Sequence, residues 1–198
     1  MAEKATFKLQ NTIIDLLEVA RIEKRLQAEK EWLSIDEVVS DVLEDNQPQI
    51  NATQTIFDIE LSTANELYFS KNNFSSILAN LISNSIKYSA PDRESLVKIH
   101  SRKHENGHGL VLMIEDTGIG MDLKKHKGNL FQMFKRFHDH VEGTGVGMYI
   151  VKKLMEENGG SVELESEVNV GTKITLYFPQ PANTSIIESA VDLADQEG

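Results

Sequence analysis

Cysteine is absent from this 198-residue sequence, and proline and tryptophan are scarce, with four residues and one. Without cysteine the chain has neither a disulfide framework nor a thiolate zinc site. No uninterrupted apolar run approaches the ~20 residues that a membrane-spanning helix needs, and the N-terminus "MAEKATFKLQ" lacks the apolar core of a secretion signal. These absences exclude a disulfide-stapled secreted fold, and we expect the chain to be cytoplasmic.

Basic residues are also in deficit, because 20 lysines and arginines face 31 acidic residues and leave a net charge of -11. Such a surface repels nucleic-acid backbones and anionic membranes, so we expect neither as a partner of this chain. Residues 121–140 are the exception, with five lysines and arginines against two aspartates. This locally positive segment suits a lid that draws in and covers an anionic ligand.

Hydrophobic periodicity predicts most of the secondary structure. Apolar residues recur at helical spacing between residues 5 and 30, so a long N-terminal helix is expected, either as a core helix or in a helical bundle. A strand at "EWLSI" then leads to a helix at "DEVVSDVLEDN", which Ser34 or Asp36 caps and which stops before Pro48. Two strands follow, at "TIFDIEL" and "ELYF", with "STAN" as the turn between them.

The second half of the chain is predicted in the same way. A helix opens at Ser70 and runs through "SKNNFSSILANLISNSIKYS", and the next segment is a hairpin that turns at Asn106 and Gly107. Residues 145–158 form another helix, and strands at "SVELESE" and "GTKITLYFP" finish the fold. We expect an α/β (α+β) fold, in which a mixed, mainly antiparallel sheet and about three helices form a two-layer sandwich.

The domain organisation follows from this order. Residues 1–30 form the long helix, residues 31–180 form the sandwich, and residues 181–198 form an acidic tail that is expected to be disordered. Within the sandwich, residues 117–142 are irregular and too long for a simple connection. Loops of that length are usually functional, so the chemistry is sought there.

Two glycine-spaced loops flank this irregular segment. The second, "GTGVG", precedes a helix, and its glycines let the free N–H groups of the helix start approach a phosphate. A glycine-rich turn without a ligand is the alternative interpretation. The pattern does not follow a strand as a dinucleotide fingerprint does, and it lacks the Gly-Lys-Ser/Thr ending of a P-loop.

The first loop, "DTGIGM", opens on Asp116 at the end of the apolar strand "LVLMIED". A carboxylate accepts hydrogen bonds and cannot donate them, so Asp116 can take the exocyclic amine of adenine and reject the carbonyl of guanine. A surface aspartate that opens a turn is the alternative. Asn80, Asn84 and Lys87 share one face of the preceding helix, and an amide oxygen with phosphate oxygens and waters suits magnesium.

Together these motifs resemble the ATP-binding catalytic domain of sensor histidine kinases, a member of the GHKL superfamily with the Bergerat fold that also contains gyrase and the ATP-dependent heat-shock chaperones. "NLISNSIKYS" is similar to the N box of that family, and "DTGIGM" to its first glycine box. "LFQMFKRFH" is similar to the phenylalanine box, and "GTGVGMYIVKKLMEENGG" to the second glycine box. The resemblance extends from about Trp32 to Pro179.

The resemblance implies a role for each matching residue. Asn84 ligates Mg²⁺, Asn80 and Lys87 approach the phosphates of ATP, and Tyr88 flanks the base or ribose. Asp116 holds the adenine amine, with Thr172 supporting it through water, and Arg136 is a candidate phosphate contact. The remaining nucleotide-binding residues shape the pocket or supply apolar contacts: Gly118, Ile119, Gly120, Met121, Leu130, Gly143, Thr144, Gly145, Val146, Gly147 and Met148.

The resemblance also bears on the reaction. Superfamily members that hydrolyse ATP carry a glutamate one helical turn before the magnesium asparagine, and here that position is Asn80, which cannot act as a general base. A protein-histidine kinase is therefore expected. A degenerate nucleotide-binding scaffold and a clamp- or chaperone-type ATPase are the alternatives. Small departures from the family pattern include Thr117 where asparagine is common and Ser85 where alanine is common.

The phosphoacceptor histidine of a sensor kinase has no counterpart, because no histidine precedes position 100. Residues 1–30 resemble only the end of the second helix of the dimerisation and phosphoacceptor hairpin. We therefore expect this chain to act on a hairpin outside it, to serve a response regulator, and not to phosphorylate itself at the usual site. It can form a homodimer through the N-terminal helix, and the parent protein can be membrane-anchored.

Overall fold

The computed structural model describes residues 28–104, 109–126, 130–135 and 144–179. The predicted N-terminal helix lies outside these residues except for residues 28–30, which are not helical. The acidic tail, at residues 181–198, and the tip of the predicted hairpin also lie outside. In the described part of the chain, no helix combines the length and the apolar character needed to cross a membrane.

Seven strands and five helices make up the described residues. In chain order they are β1 (Glu31–Ser34), α1 (Ile35–Asp45), α2 (Gln47–Thr53), β2 (Ile56–Glu60), β3 (Glu66–Phe69), α3 (Lys71–Lys87), β4 (Leu96–Lys103), β5 (Leu110–Asp116), α4 (Leu123–His126), α5 (Gly147–Glu157), β6 (Ser161–Glu167) and β7 (Gly171–Phe178).

The main sheet has five strands in the order β2-β4-β5-β7-β6. Strand β2 pairs with β4 in parallel, and all other neighbours are antiparallel. The mixed, mainly antiparallel sheet of the predicted sandwich is thereby confirmed. The "STAN" turn, however, joins strands of different sheets, because β3 pairs with β1 in a separate two-stranded sheet.

The hydrophobic core lies between one face of the main sheet and the helices. Alternate residues of β4 and β5, such as Ile99 and Leu112, are fully buried against that layer. Helix α3 contacts both α1 and α5, and it buries Phe74, Ile77 and Leu81. A helix held at this position is rigid, so the polar residues near its C-terminal end keep fixed places.

The opposite face of the sheet carries a row of charged residues with alternating sign. Register partners from β2 to β6 are Asp58, Lys98, Glu115, Lys173 and Glu165. The ammonium of Lys173 bonds the Glu165 carboxylate at 2.9 Å. Since a slip of one residue would turn these charges into the core, the row favours the observed register.

Two short helices add to the three that were expected. Pro48 ends the predicted helix as foreseen, but it also stands in the first turn of α2, where its missing N–H costs nothing and its fixed φ suits a helix. Helix α4 is a single turn of four residues within the irregular segment. Both were missed because each is shorter than the window over which periodicity is visible.

The cap of α1 differs from the predicted one. Ser34 occupies the N-cap position, but its side chain makes no capping bond and instead donates to the Asp36 carboxylate. The N–H of Asp36 donates to the side-chain oxygen of Asn65 at 2.9 Å. The N–H of Ile35 donates to the Asn65 backbone carbonyl at 2.8 Å. A residue 29 positions away therefore caps the helix.

This cap makes a prediction about stability. Asn65→Ala removes the bond to Asp36 and is expected to lower the free energy of unfolding by about 1 kcal/mol, the usual cost of a lost N-cap. Ser34→Ala, the matched control, removes the bond from the Ser34 hydroxyl to the Asp36 carboxylate and the bond that this hydroxyl accepts from the Asn65 side-chain nitrogen at 3.3 Å. It keeps the capping bond from the Asp36 N–H to the Asn65 oxygen and should cost less. Urea unfolding of both variants measures the difference; an equal loss from Ser34→Ala would contradict the assignment.

Candidate functional site

Helix α3 touches both glycine-spaced loops. At its C-terminal end the carbonyl of Tyr88 accepts a hydrogen bond from the N–H of Ile119, at 2.9 Å. Two turns earlier, the side-chain oxygen of Asn80 lies so near Gly147 that a Cβ there would stand 2.5 Å from it. The three motifs that the sequence singled out therefore meet around one helix, and glycine at position 147 permits the close approach.

The first loop begins at Asp116, the last residue of β5. One carboxylate oxygen, Oδ1, accepts the N–H of Gly118 at 2.9 Å and the N–H of Thr172 at 3.2 Å. The other oxygen, Oδ2, accepts the hydroxyl of Ser85 at 3.3 Å. A carboxylate has about four acceptor positions, so one on Oδ2 remains for a donor outside these contacts.

The electrostatics of Asp116 set two effects against each other. Burial raises the pKa of its carboxyl above the usual value for aspartate, and the nearby charge of Glu115 raises it further. The hydrogen bonds from Gly118, Thr172 and Ser85 lower the pKa but do not outweigh burial. An ionised carboxylate in this position is therefore short of favourable partners, and an incoming donor such as an amine would stabilise it.

The hairpin of β6 and β7 supports the first loop. Gly120 has a φ of 60° and packs against the carbonyl of Glu167, a position that favours glycine. The N–H of Met121 donates to the Ser166 hydroxyl at 3.0 Å, and that hydroxyl lies 2.9 Å from the Thr172 hydroxyl. Thr172 thus contacts Asp116 directly through its backbone, whereas the resemblance implied support through water.

Three residues near Asp116 were not singled out as site residues from the sequence. Ser85 was noted only as a departure from the family pattern, and Ser166 was read as an ordinary strand residue. Arg93 donates to the carbonyls of Thr117 and Gly118, at 2.8 and 2.7 Å. Only Ser85 carried a signal, because it is one of two polar residues, with Asn73, on the mainly apolar buried face of α3.

The second loop leads directly into α5. Val146 is fully buried and holds the N-cap position, and no side chain of the described residues caps the helix there. Gly145, with a φ of 77°, lies against the backbone of Lys135, while Met148 packs at the edge of the core. The first N–H groups of α5 are therefore offered to a ligand, and the helix dipole makes this end favourable for an anion.

Asn84 and Lys87 occupy the face of α3 between the two loops. The Asn84 side chain is half-buried, and no hydrogen bond to it occurs within the described residues. Lys87 is exposed. An amide oxygen that is half-buried and has no partner among the described residues, next to a site for an anion, fits Mg²⁺, which takes few protein ligands and keeps several waters.

The remaining predicted residues belong to the irregular segment or its edges. Ile119, Met121, Leu130 and Thr144 are half-buried, and Gly118 is buried beneath the Tyr88 carbonyl. Arg136 and Gly143 lie outside the described residues, so the phosphate contact of Arg136 and the pocket-shaping role of Gly143 stay predictions. The described residues thus bring the Asp116 carboxylate, the amide face of α3 and the start of α5 into one region.

Comparison with known proteins gives this region a family context. The family described as histidine kinase-, DNA gyrase B- and HSP90-like ATPase matches residues 70–182, more than half of the chain. Among curated proteins, the circadian input-output histidine kinase CikA of Synechococcus elongatus is 26% identical over 87% of this chain. The chain spans only 23% of CikA, and similarly small shares of other curated relatives.

Solved structures show the same fold. The Acinetobacter baumannii histidine kinase AdeS superposes with a TM-score of 0.68 and 22% identity, over 84% of this chain and 76% of AdeS. Full-length ShkA, solved in complex with AMPPNP, gives a TM-score of 0.72 and 20% identity, over 88% of this chain and 37% of ShkA.

The raised pKa of Asp116 makes a prediction about stability. A carboxyl whose folded pKa exceeds its unfolded value favours folding at acid pH, and this contribution is lost as the pH rises through the folded pKa. Asp116→Asn has no ionisable carboxyl, so its stability does not decrease in this way as the pH rises, and its amide oxygen still accepts the N–H groups of Gly118 and Thr172. The variant should therefore gain stability relative to the unchanged protein as the pH rises above about 4, the usual pKa of aspartate, measured by urea unfolding. A variant that loses relative stability as the pH rises would contradict the assigned direction.

Proposed function

We propose that this chain, which belongs to the family of histidine kinase-, DNA gyrase B- and HSP90-like ATPases, is the ATP-binding catalytic domain of a sensor histidine kinase. The observation that carries the proposal is the convergence of Asp116, the amide face of α3 and the uncapped start of α5. In this arrangement one ligand with a purine at one end and phosphates at the other meets a matching group at each end.

The base end is read by Asp116. Its free acceptor position on Oδ2 accepts one hydrogen of the adenine amine, and the carbonyl that guanine presents there would meet an acceptor instead of a donor. Ile119 and Met121, which are half-buried in the loop that follows Asp116, supply apolar contacts to the base. That full-length ShkA, which shares this fold, was solved with an ATP analogue supports a nucleotide here.

The phosphate end combines backbone and side-chain groups. The first N–H groups of α5 bind phosphate oxygens, while Asn80 and Lys87 approach from α3 and Arg136 approaches from the predicted lid. Gly143, in the second glycine loop, shapes the pocket. Asn84 is the protein ligand of Mg²⁺. When bound, the ion neutralises the charge that develops on the transferred phosphoryl group.

Transfer to another chain, rather than hydrolysis, is the proposed reaction. Asn80 occupies the place of the general base of the hydrolysing relatives, and its side chain is engaged, donating to the carbonyl of Ser76 at 2.8 Å. An amide cannot take a proton from water. The acceptor we propose is a histidine on the dimerisation hairpin of the parent protein, with a response regulator downstream and the cytoplasm, where ATP is available, as the location.

Nucleotide titration with matched variants tests the binding site. Mg-ADP should bind the unchanged chain more tightly than Mg-GDP does. Asp116→Asn should lower the affinity for Mg-ADP by about ten- to hundredfold, the value of a hydrogen bond to a charged group. Asp116→Asn should also narrow the preference for adenine, since its amide can donate to a guanine carbonyl. Isothermal titration calorimetry measures each affinity.

Asn84→Ala distinguishes the contribution of the metal ion to nucleotide binding from that of the base. It should weaken ADP binding in the presence of Mg²⁺ and leave binding in EDTA unchanged, because the amide contacts only the ion. Asn72→Ala, at an exposed position of the same helix, is the control and should behave as the unchanged chain in both buffers. An equal loss for Asn84→Ala with and without magnesium would remove Asn84 as the metal ligand.

Phosphoryl transfer distinguishes the kinase from the alternatives. Incubated with labelled ATP, the chain alone should show no acid-labile label and only slow release of phosphate. Addition of the parent protein's hairpin should produce label on that hairpin at histidine. Rapid phosphate release without the hairpin would favour a clamp- or chaperone-type ATPase; tight binding with no label on either chain would favour a degenerate scaffold.

A further inference from the structure

Ser85 contributes the one side-chain hydrogen bond among the described contacts of the Asp116 carboxylate. Its side chain is buried, with 5% of its surface exposed, and its hydroxyl lies 3.3 Å from Asp116 Oδ2. The same hydroxyl lies 3.2 Å from the carbonyl of Leu81 on its own helix. The two other donors to Asp116 are backbone N–H groups, which a substitution cannot remove.

A serine hydroxyl has a single proton, so Ser85 donates to one of these two oxygens at a time. Hydrogen bonds to an ionised acceptor are shorter and stronger than those to a neutral carbonyl. The Ser85 hydroxyl therefore donates to the ionised carboxylate of Asp116 in preference to the carbonyl of Leu81. The contact then orients Oδ2, the oxygen that retains a free acceptor position, while the two N–H groups hold Oδ1 in place.

Resting on the proposed function, we propose that Ser85 is a positioning residue that determines specificity for the 6-amino group of the base. By occupying one acceptor position of Oδ2 and fixing the plane of the carboxylate, it leaves a single position directed at the amine. The helix that ligates the metal through Asn84 thereby also sets the direction in which the neighbouring carboxylate reads the base.

The test compares the affinities of two nucleotides for three proteins: the unchanged chain, Ser85→Ala and Ser83→Ala. ADP carries the 6-amino group, and purine riboside 5′-diphosphate carries hydrogen in its place, so only ADP reports on the contact with Asp116. Ser85→Ala should lower the affinity for ADP by about three- to tenfold, the value of one positioned hydrogen bond, and leave the affinity for the analogue unchanged. Alanine also favours the helix, so thermal unfolding should show an intact fold.

Ser83→Ala is the matched control, because Ser83 lies on the same helix and donates to the carbonyl of Asn80 at a distance of 3.4 Å instead of to Asp116. It should bind both nucleotides as the unchanged chain does. Two results would overturn the role of Ser85: an unchanged affinity of Ser85→Ala for ADP, or an equal loss for ADP and the analogue, which is the signature of a merely structural role.

Failure of the proposed function has a different signature. If the unchanged chain binds neither nucleotide, or binds both equally, Asp116 does not read an amine, and the proposed function and the role of Ser85 both fall. If the unchanged chain prefers ADP and only the Ser85→Ala result departs from expectation, the proposed function stands and Ser85 alone is excluded.

Discussion

The constraint on which the site depends is the placement of one carboxylate, that of Asp116, where β5 ends against α3 and β7. A charge in such surroundings is costly unless it is hydrogen-bonded, and each neighbouring element supplies a donor: Gly118 from the loop, Thr172 from β7 and Ser85 from α3. These bonds join the sheet layer to the helix layer through a polar contact. The carboxylate is thus oriented before any ligand arrives, and burial still leaves it in need of one more donor.

Helix α3 connects the surroundings of Asp116 to the second loop. Its apolar face is locked in the core by Phe74, Ile77 and Leu81, so its polar face has little freedom to move. The same helix meets the first loop through the Tyr88 carbonyl and the second through Asn80. The spacing between the base end and the phosphate end is therefore determined by one rigid element, as preorganised recognition requires.

Much of this could be predicted from the sequence, because the signals were local. The apolar stripe of α3, its Ser70 cap and the alternation in β4 each depend on neighbouring residues, and the structure confirms them. Contacts between distant residues carried no such signal: Asn65 as the cap of α1, β2 and β3 in different sheets, and the bonds from Arg93 and Ser166 around the first loop. The glycine loops were recognised by their spacing and Thr172 by the resemblance, whereas the hydrogen bonds from Gly118 and Ser85 to Asp116 are evident only in the folded structure.

The central claim, that a single ligand spans both loops across α3, is tested most directly by backbone amide NMR during titration with adenosine and then with Mg-ADP. Adenosine should shift the amides of Gly118 and Thr172 and leave those of Gly147 and Met148 in place, because it lacks phosphates. Mg-ADP should shift both groups at the same ligand concentration. Two groups that titrate at different concentrations of Mg-ADP, or a Gly147 amide that never responds, would contradict the account.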